Sequence, residues 1–164
     1  MIAGTAHPLP IEGKQMRLMT TAVALAGLCM ATTIAAVPAA AAPSDHLKDP
    51  KVTGCTADST TIATFAMTND ESGMHITNLE VRHSPKCQTN WVRVNNPYPD
   101  GVVKVITSIG LDGSSDLGLG LSTKTGYQWS QQVYAPGQHC VYVAAQLTEN
   151  QRVVAGGDQV IKVC

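Results

Sequence analysis

The chain has 164 residues, with eleven Lys plus Arg against twelve Asp plus Glu, a formal charge of −1, and only 4% aromatic residues. No basic stripe exists, which argues against nucleic acid as a partner, and the length suffices for one hydrophobic core and not for two. The N-terminal stretch is separate in character. Lys14 and Arg17 precede an apolar run from Leu18 to Ile34, and a small-residue segment, Ala35 to Pro43, follows. These are the three parts of a secretory signal peptide. The run is shorter than the ~20 residues of a membrane anchor, so no membrane span is expected. Ala39-x-Ala41 predicts cleavage with Ala42 as the first mature residue, and Met16 is an alternative start. The segment Ala26-Gly27-Leu28-Cys29 fails as a lipoprotein box, because the residue before the cysteine should be small and here is Leu28. The expected organisation is a signal peptide over 1–41, a flexible lead-in over 42–51 and a β domain over 52–164.

Loss of the leader removes Glu12, Lys14 and Arg17, leaving nine basic against eleven acidic residues. It also removes Cys29 and leaves Cys55, Cys87, Cys140 and Cys164, an even number in an oxidising compartment. Four cysteines allow three pairings. The sequential one, Cys55 with Cys87 and Cys140 with Cys164, is preferred because each bridge would tie neighbouring segments of a meandering β domain. No C-x-x-C or C-x-x-H spacing supports a metal site instead.

From residue 52 on, short runs rich in Val, Ile and Thr alternate with turn chemistry, and helical periodicity is nowhere sustained. Thr60–Met67 is the first expected strand, followed by a turn over Asn69–Gly73. Ile76–His83 is the second, with Leu79, Val81 and His83 on one face and Glu80 and Arg82 on the other. After a connection over Ser84–Thr89, Asn90–Asn95 returns as its hairpin partner. Asn96–Gly101 is a turn, since two prolines remove ladder donors and Gly101 accepts a positive φ. Val102–Ile109 carries few charges and should be central. Gly110–Gly120, with four glycines, reads as a long flexible loop. Tyr127–Tyr134 is the fifth strand, Ala135–Gln138 a β-turn, Cys140–Leu147 the sixth strand and Val160–Cys164 the last, with Arg152–Ala155 an extra rung. The expected fold class is all-β: a single small sandwich or barrel of about six or seven short antiparallel strands with two disulfides.

The stretch Ser84-Pro85-Lys86-Cys87-Gln88-Thr89-Asn90-Trp91-Val92-Arg93-Val94 resembles the signature of a secreted, mostly actinobacterial family catalogued as domain of unknown function 2690. Gly54-Cys55 matches the family's early Gly-Cys. Trp129 to Gly137 is similar to its second block, with Gln132 where Met is expected. The resemblance spans residues 54–145. It implies export and supports the Cys55 to Cys87 pairing, with Cys140 and Cys164 an embellishment of this member. His83 stands where the family more often has Tyr, which implies a ring held for packing. No activity comes with the family, so it assigns no catalytic residue and no cofactor.

Residue patterns for chemistry are sparse. Ser84 beside His83 is no dyad, because adjacent strand residues point to opposite faces, and no G-x-S-x-G elbow occurs. His75, His83 and His139 remain as members of a dispersed hydrolase site. Eight extended residues at about 3.3 Å place His75 and His83 about 26 Å apart, too far to share a metal. Asp112 to Asp116 alternates oxygen ligands as a calcium loop does, yet Leu117 and Thr123 stand where such a loop needs Gly and Glu. No metal and no cofactor are therefore expected. Among the aromatics, Trp91 is expected to pack in the core over the bridged loop, whereas Tyr98, between Pro97 and Pro99, is expected at an exposed turn as the one contact residue. Arg82 and Arg93 should face each other across the hairpin and pair with a carboxylate such as Glu80.

The expected function is a secreted, non-enzymatic binding or structural module at or outside the cell envelope, with a cell-wall glycan or a secreted protein as candidate partners. The alternatives are a protease inhibitor presenting the Ser84–Thr89 loop, pre-organised by its bridge, and a hydrolase with a dispersed site.

Overall fold

The computed structural model describes residues 44–156 and 159–164; the leader, its cleavage point and Cys29 lie outside the described residues. Alternation between apolar and polar residues sets the strands. In β2 (His75–Ser84), Leu79 and Val81 are buried while Glu80 and Arg82 face outward, and in β3 (Thr89–Asn96), Val92 and Val94 point inward. Ten strands form among the described residues: β1 (Thr60–Thr68), β2, β3, β4 (Lys104–Leu111), β5 (Leu117–Ser122), β6 (Gly126–Trp129), β7 (Val133–Tyr134), β8 (Val141–Glu149), β9 (Arg152–Gly156) and β10 (Ile161–Val163).

The strands build two antiparallel five-stranded sheets. The first runs β1-β2-β3-β6 with β7 also on β3; the second runs β10-β8-β4-β5 with β9 on β8. Their inner faces enclose Leu79, Val81, Val92, Val94, Val105, Ile109, Val143 and Leu147, all 3% exposed or less. This is a sandwich. Small β-branched side chains dominate the core, which suits a chain with so few aromatics.

The strand count exceeds expectation for two reasons. Gly110–Gly120 is not a loop throughout, because Leu117-Gly118-Leu119-Gly120-Leu121 forms an edge strand on β4. A Cβ at Gly118 would meet the Gln131 carbonyl oxygen at 2.4 Å, and one at Gly120 the Trp129 carbonyl oxygen at 2.3 Å. These glycines permit close approach to the other sheet, and Leu117, Leu119 and Leu121, which alternate with them, face out, 53–70% exposed. The expected single strand Tyr127–Tyr134 is split. On β3 the register advances three residues, Arg93 to Asn90, while the partner advances four, Trp129 to Val133, so one extra residue bulges. There Ser130 Oγ accepts the Val92 N–H, Gln131 N–H donates to Leu119 C=O, and Gln132 bonds to Leu47 and Lys48. The rung at Arg152–Ala155 is present as β9, and Gly101 and Gly137 take positive φ at their turns.

Both bridges follow the sequential pairing. Cys55–Cys87 closes a separation of 32 residues and Cys140–Cys164 one of 24.

Contacts with the sandwich begin within the expected lead-in over 42–51. Residues 44–51, read as a flexible lead-in, run in turns against Gln132, whose fully buried amide donates to Asp45 C=O and Thr53 Oγ1 and accepts from Thr89 Oγ1. The physical reason is satisfaction of buried polar groups: a segment without hydrophobic period is held by backbone bonds, Leu47 N–H to Gln132 C=O and Gln132 N–H to Lys48 C=O.

Candidate functional site

The outer face of the first sheet collects what its inner face excludes. Register places Glu80 opposite Arg93, Arg82 opposite Trp91, and Arg93 opposite Trp129. Side chains of one parity therefore line up across β2, β3 and β6. Residues 51–59 run along the same face, and together they bound a groove of about 210 Å³ lined by Lys51, Ser59, Arg82, Arg93, Tyr127 and Trp129, among others. Trp91 contributes to it and is 2% exposed. Both tryptophans of the chain thus stand at one site. Trp91 is buried as expected, but beneath this outer groove and outside the inter-sheet core, because it alternates with the core residues Val92 and Val94.

The cations of the groove are held by rings. Lys51 Nζ lies 3.7 Å from the Trp129 ring centroid, and the Arg93 guanidinium 4.3 Å from that of Tyr127. Asp49 fixes Trp129 by accepting its indole N–H at 3.0 Å, and Arg93 donates through both Nε and Nη2 to Glu80. Arg82 differs: it donates to Thr61 Oγ1, Ser59 C=O and Ser59 Oγ, all neutral acceptors. Burial and then the neighbouring Arg93 charge push its guanidinium below its ordinary value. Arg82 and Arg93 do not stand opposite one another as expected; they are diagonal neighbours, with Glu80 directly across from Arg93.

The other residues singled out by sequence lie elsewhere. Tyr98 is half-buried and packed against the core, contrary to the exposure expected, and its N–H is held by Asn96 Oδ1. His83 Nδ1 meets Asn90 Oδ1 at 3.0 Å, His75 Nε2 meets Asn78 Oδ1 at 3.0 Å, and His139 is exposed on the connection before β8. Ser84 is fully buried; its hydroxyl donates to Asp58 and accepts the Cys87 N–H. Those contacts, led by the Ser84 hydrogen bond and then the Lys86 N–H, lower the Asp58 pKa. Asp112 is occupied by Lys162 Nζ at 2.8 Å and the Tyr142 hydroxyl, and Asp116 by His46 at 3.4 Å, so ammonium and imidazole stand where calcium would need free oxygens. The carboxylate of Asp45 lies near Cys55 and Cys87, whose sulfurs are joined to each other.

The Ser84–Thr89 connection is a tight turn. Gln88 has a φ of 54°, its C=O accepts the Ala135 N–H, and its side chain accepts the Tyr134 hydroxyl. Only Pro85, Lys86 and Gln88 are exposed.

Sheet order, bridges and groove define a two-disulfide antiparallel β-sandwich with an aromatic and cationic outer face. The family model described as "Protein of unknown function (DUF2690)" matches residues 46–160, and the chain belongs to that family. No curated protein matches, and no solved structure matches. Among the described residues, no helix is long and apolar enough to cross a membrane.

Proposed function

We propose that this protein is a secreted, non-enzymatic binding module whose contact surface is the groove on the outer face of the first sheet. The carrying observation is the convergence there of both tryptophans with two ring-held cations in a chain otherwise poor in aromatics. Rings and arginines dominate contact energies at binding surfaces. A scaffold held by two bridges keeps them pre-organised. Export is supported by the signal-like first 41 residues and by the bridges themselves. The protease-inhibitor reading draws less support, because the turn at 85–88 is curled and tied down at Gln88, whereas a protease cleft takes extended backbone.

The test is retention on insoluble cell wall and on immobilised culture-supernatant proteins, using protein exported to and purified from the medium. Wild type should be retained on one of them and Trp129→Ala lost, with its melting curve cooperative. Equal retention of Trp129→Ala would overturn the reading, as would substrate turnover abolished by a single change at His or Asp.

A further inference from the structure

We propose that the groove takes an anionic glycopolymer, a sugar chain bearing carboxylate or phosphate groups, with Arg82 as its principal anion contact. This rests on the groove being the contact surface. Charge complementarity within the groove selects the occupant. Three cations, Lys51, Arg82 and Arg93, border the groove. Of the neighbouring carboxylates, Glu80 is taken up by Arg93, and Asp49, oriented by the Trp129 indole N–H and the Lys51 backbone N–H, keeps its charge, so three cations stand against two carboxylates and the surplus is one positive charge. Among the described residues, Arg93 and Arg152 each pair with a carboxylate, and Arg82 is the arginine that pairs with none.

Arg82 is part-buried on neutral acceptors beside a second guanidinium, and Glu80 reaches it only through space and through the Thr61 hydroxyl, so no carboxylate bonds it directly. Hydroxyl and carbonyl contacts orient it without neutralising it. An arriving anion supplies what the fold leaves out, and does so where solvent screening is reduced. Lys51 adds a second cation across the groove, seated on the Trp129 face. The mature chain is acidic overall by the count of its residues after position 41, so attraction of an anion is a property of this groove and not of the whole surface.

The sugar part of the inference comes from the neighbours of the cations. Tyr127 is 51% exposed, and the hydroxyls of Thr56 and Ser59 line the same groove. A half-exposed ring that carries Arg93 on one face, with flanking hydroxyls, matches a pyranose or polyol backbone carrying its charge to one side.

Both tryptophans line the groove, so their emission reports occupancy directly. The exported protein is titrated with polygalacturonate, with poly(glycerol phosphate), with neutral dextran and with polyglutamate, at low and high salt. The inference expects a saturable emission change with at least one of the two anionic glycopolymers, weakening about tenfold or more between ~50 and ~500 mM salt. The first two polymers distinguish a carboxylate from a phosphate source. Arg82→Ala should weaken binding about tenfold or more, and Arg82→Lys by less. Because Arg82 also ties β2 to Ser59 and Thr61, Lys51→Ala at an exposed position is the second variant; it should weaken binding several-fold with its melting point unchanged. Salt-insensitive binding of dextran lost in Trp129→Ala would overturn the anion inference and leave the groove as the contact surface. Polyglutamate binding as well as the glycopolymers would overturn the sugar component. No response to either anionic glycopolymer would overturn the inference, and the cell-wall retention assay would then decide the groove by itself.

Discussion

Removing the two disulfides one at a time should cost nearly equal stability and have unequal consequences for the groove. Cys55 and Cys87 are 32 residues apart in sequence, Cys140 and Cys164 are 24 apart. Loop-closure entropy then gives about 3.7 kcal/mol for the first bridge and about 3.4 kcal/mol for the second. For a domain of this size either loss lowers the melting temperature by roughly 10–15 °C. The local effects diverge because Cys55 is fully buried within the segment that supplies Lys51, Thr56 and Ser59 to the groove. The pair Cys140–Cys164 instead ties the start of β8 to the residue after β10, in the other sheet. In Cys55→Ala/Cys87→Ala, residues 44–59 should loosen below the global melt, with a change in tryptophan emission. In Cys140→Ala/Cys164→Ala, emission should stay native until the global transition. Thermal melts followed in parallel by circular dichroism and by fluorescence make the comparison. The reasoning fails if the second variant perturbs tryptophan emission as much as the first while still folded, or if either variant melts within a degree or two of wild type.

Three further outcomes follow from individual residues. Asp58, Asp100 and Asp112 all have lowered pKa values; Asp100 is pushed down to about 2 by the Thr125 N–H first and then by Lys124. A folded-state pKa below the ordinary 3.8 means the stabilisation is present above that value and lost as pH falls through the folded-state value. Midpoints in urea should therefore hold from neutral pH to ~4 and drop toward pH ~2, and an equal midpoint at both ends would contradict this. Gly120→Ala places a Cβ 2.3 Å from the Trp129 carbonyl oxygen and 2.4 Å from Thr107 Oγ1, so it should cost about 1–3 kcal/mol; a neutral result by chemical denaturation would show that β5 can withdraw. Thr107 Oγ1 is buried without a hydrogen-bond partner among the described residues. Thr107→Val should then stabilise by about 1 kcal/mol, and destabilisation in the same assay would indicate a partner for that hydroxyl.

How much of this was legible in the sequence differs by residue. Leu79, Val81, Glu80 and Arg82 alternate cleanly, so β2 and its faces could be read directly, and bridge pairing followed from cysteine parity and order. The strand β5 was hidden because Gly118 and Gly120 carry turn chemistry by composition, while their real role, clearance from the 129–131 backbone, depends on the other sheet. The bulge at 130–132 depends on three different hydrogen-bonding partners that no local pattern reveals. Tyr98 was misjudged because flanking prolines signal a turn and say nothing of which way the ring points; it turns back onto the core. The groove was the least legible feature. Its residues were visible singly, Arg82 and Arg93 even as neighbours, but joining them to Trp129 requires the β3–β6 pairing, and joining them to Lys51 requires ordering a segment without hydrophobic period. The available signal was parity: Arg82, Trp91, Arg93, Tyr127 and Trp129 each alternate with residues of the inner face or the bulge.

The groove over β2, β3 and β6 is the proposed contact surface. Its most direct test is an amide and indole correlation spectrum of the nitrogen-15-labelled protein, titrated with soluble polymer released from cell wall. The Trp129 indole N–H, held by Asp49, and the backbone signals of Arg82 and Arg93 should shift together with one half-saturation point. Shifts confined to the exposed Leu117, Leu119 and Leu121 edge, with both indole signals unmoved, would contradict it.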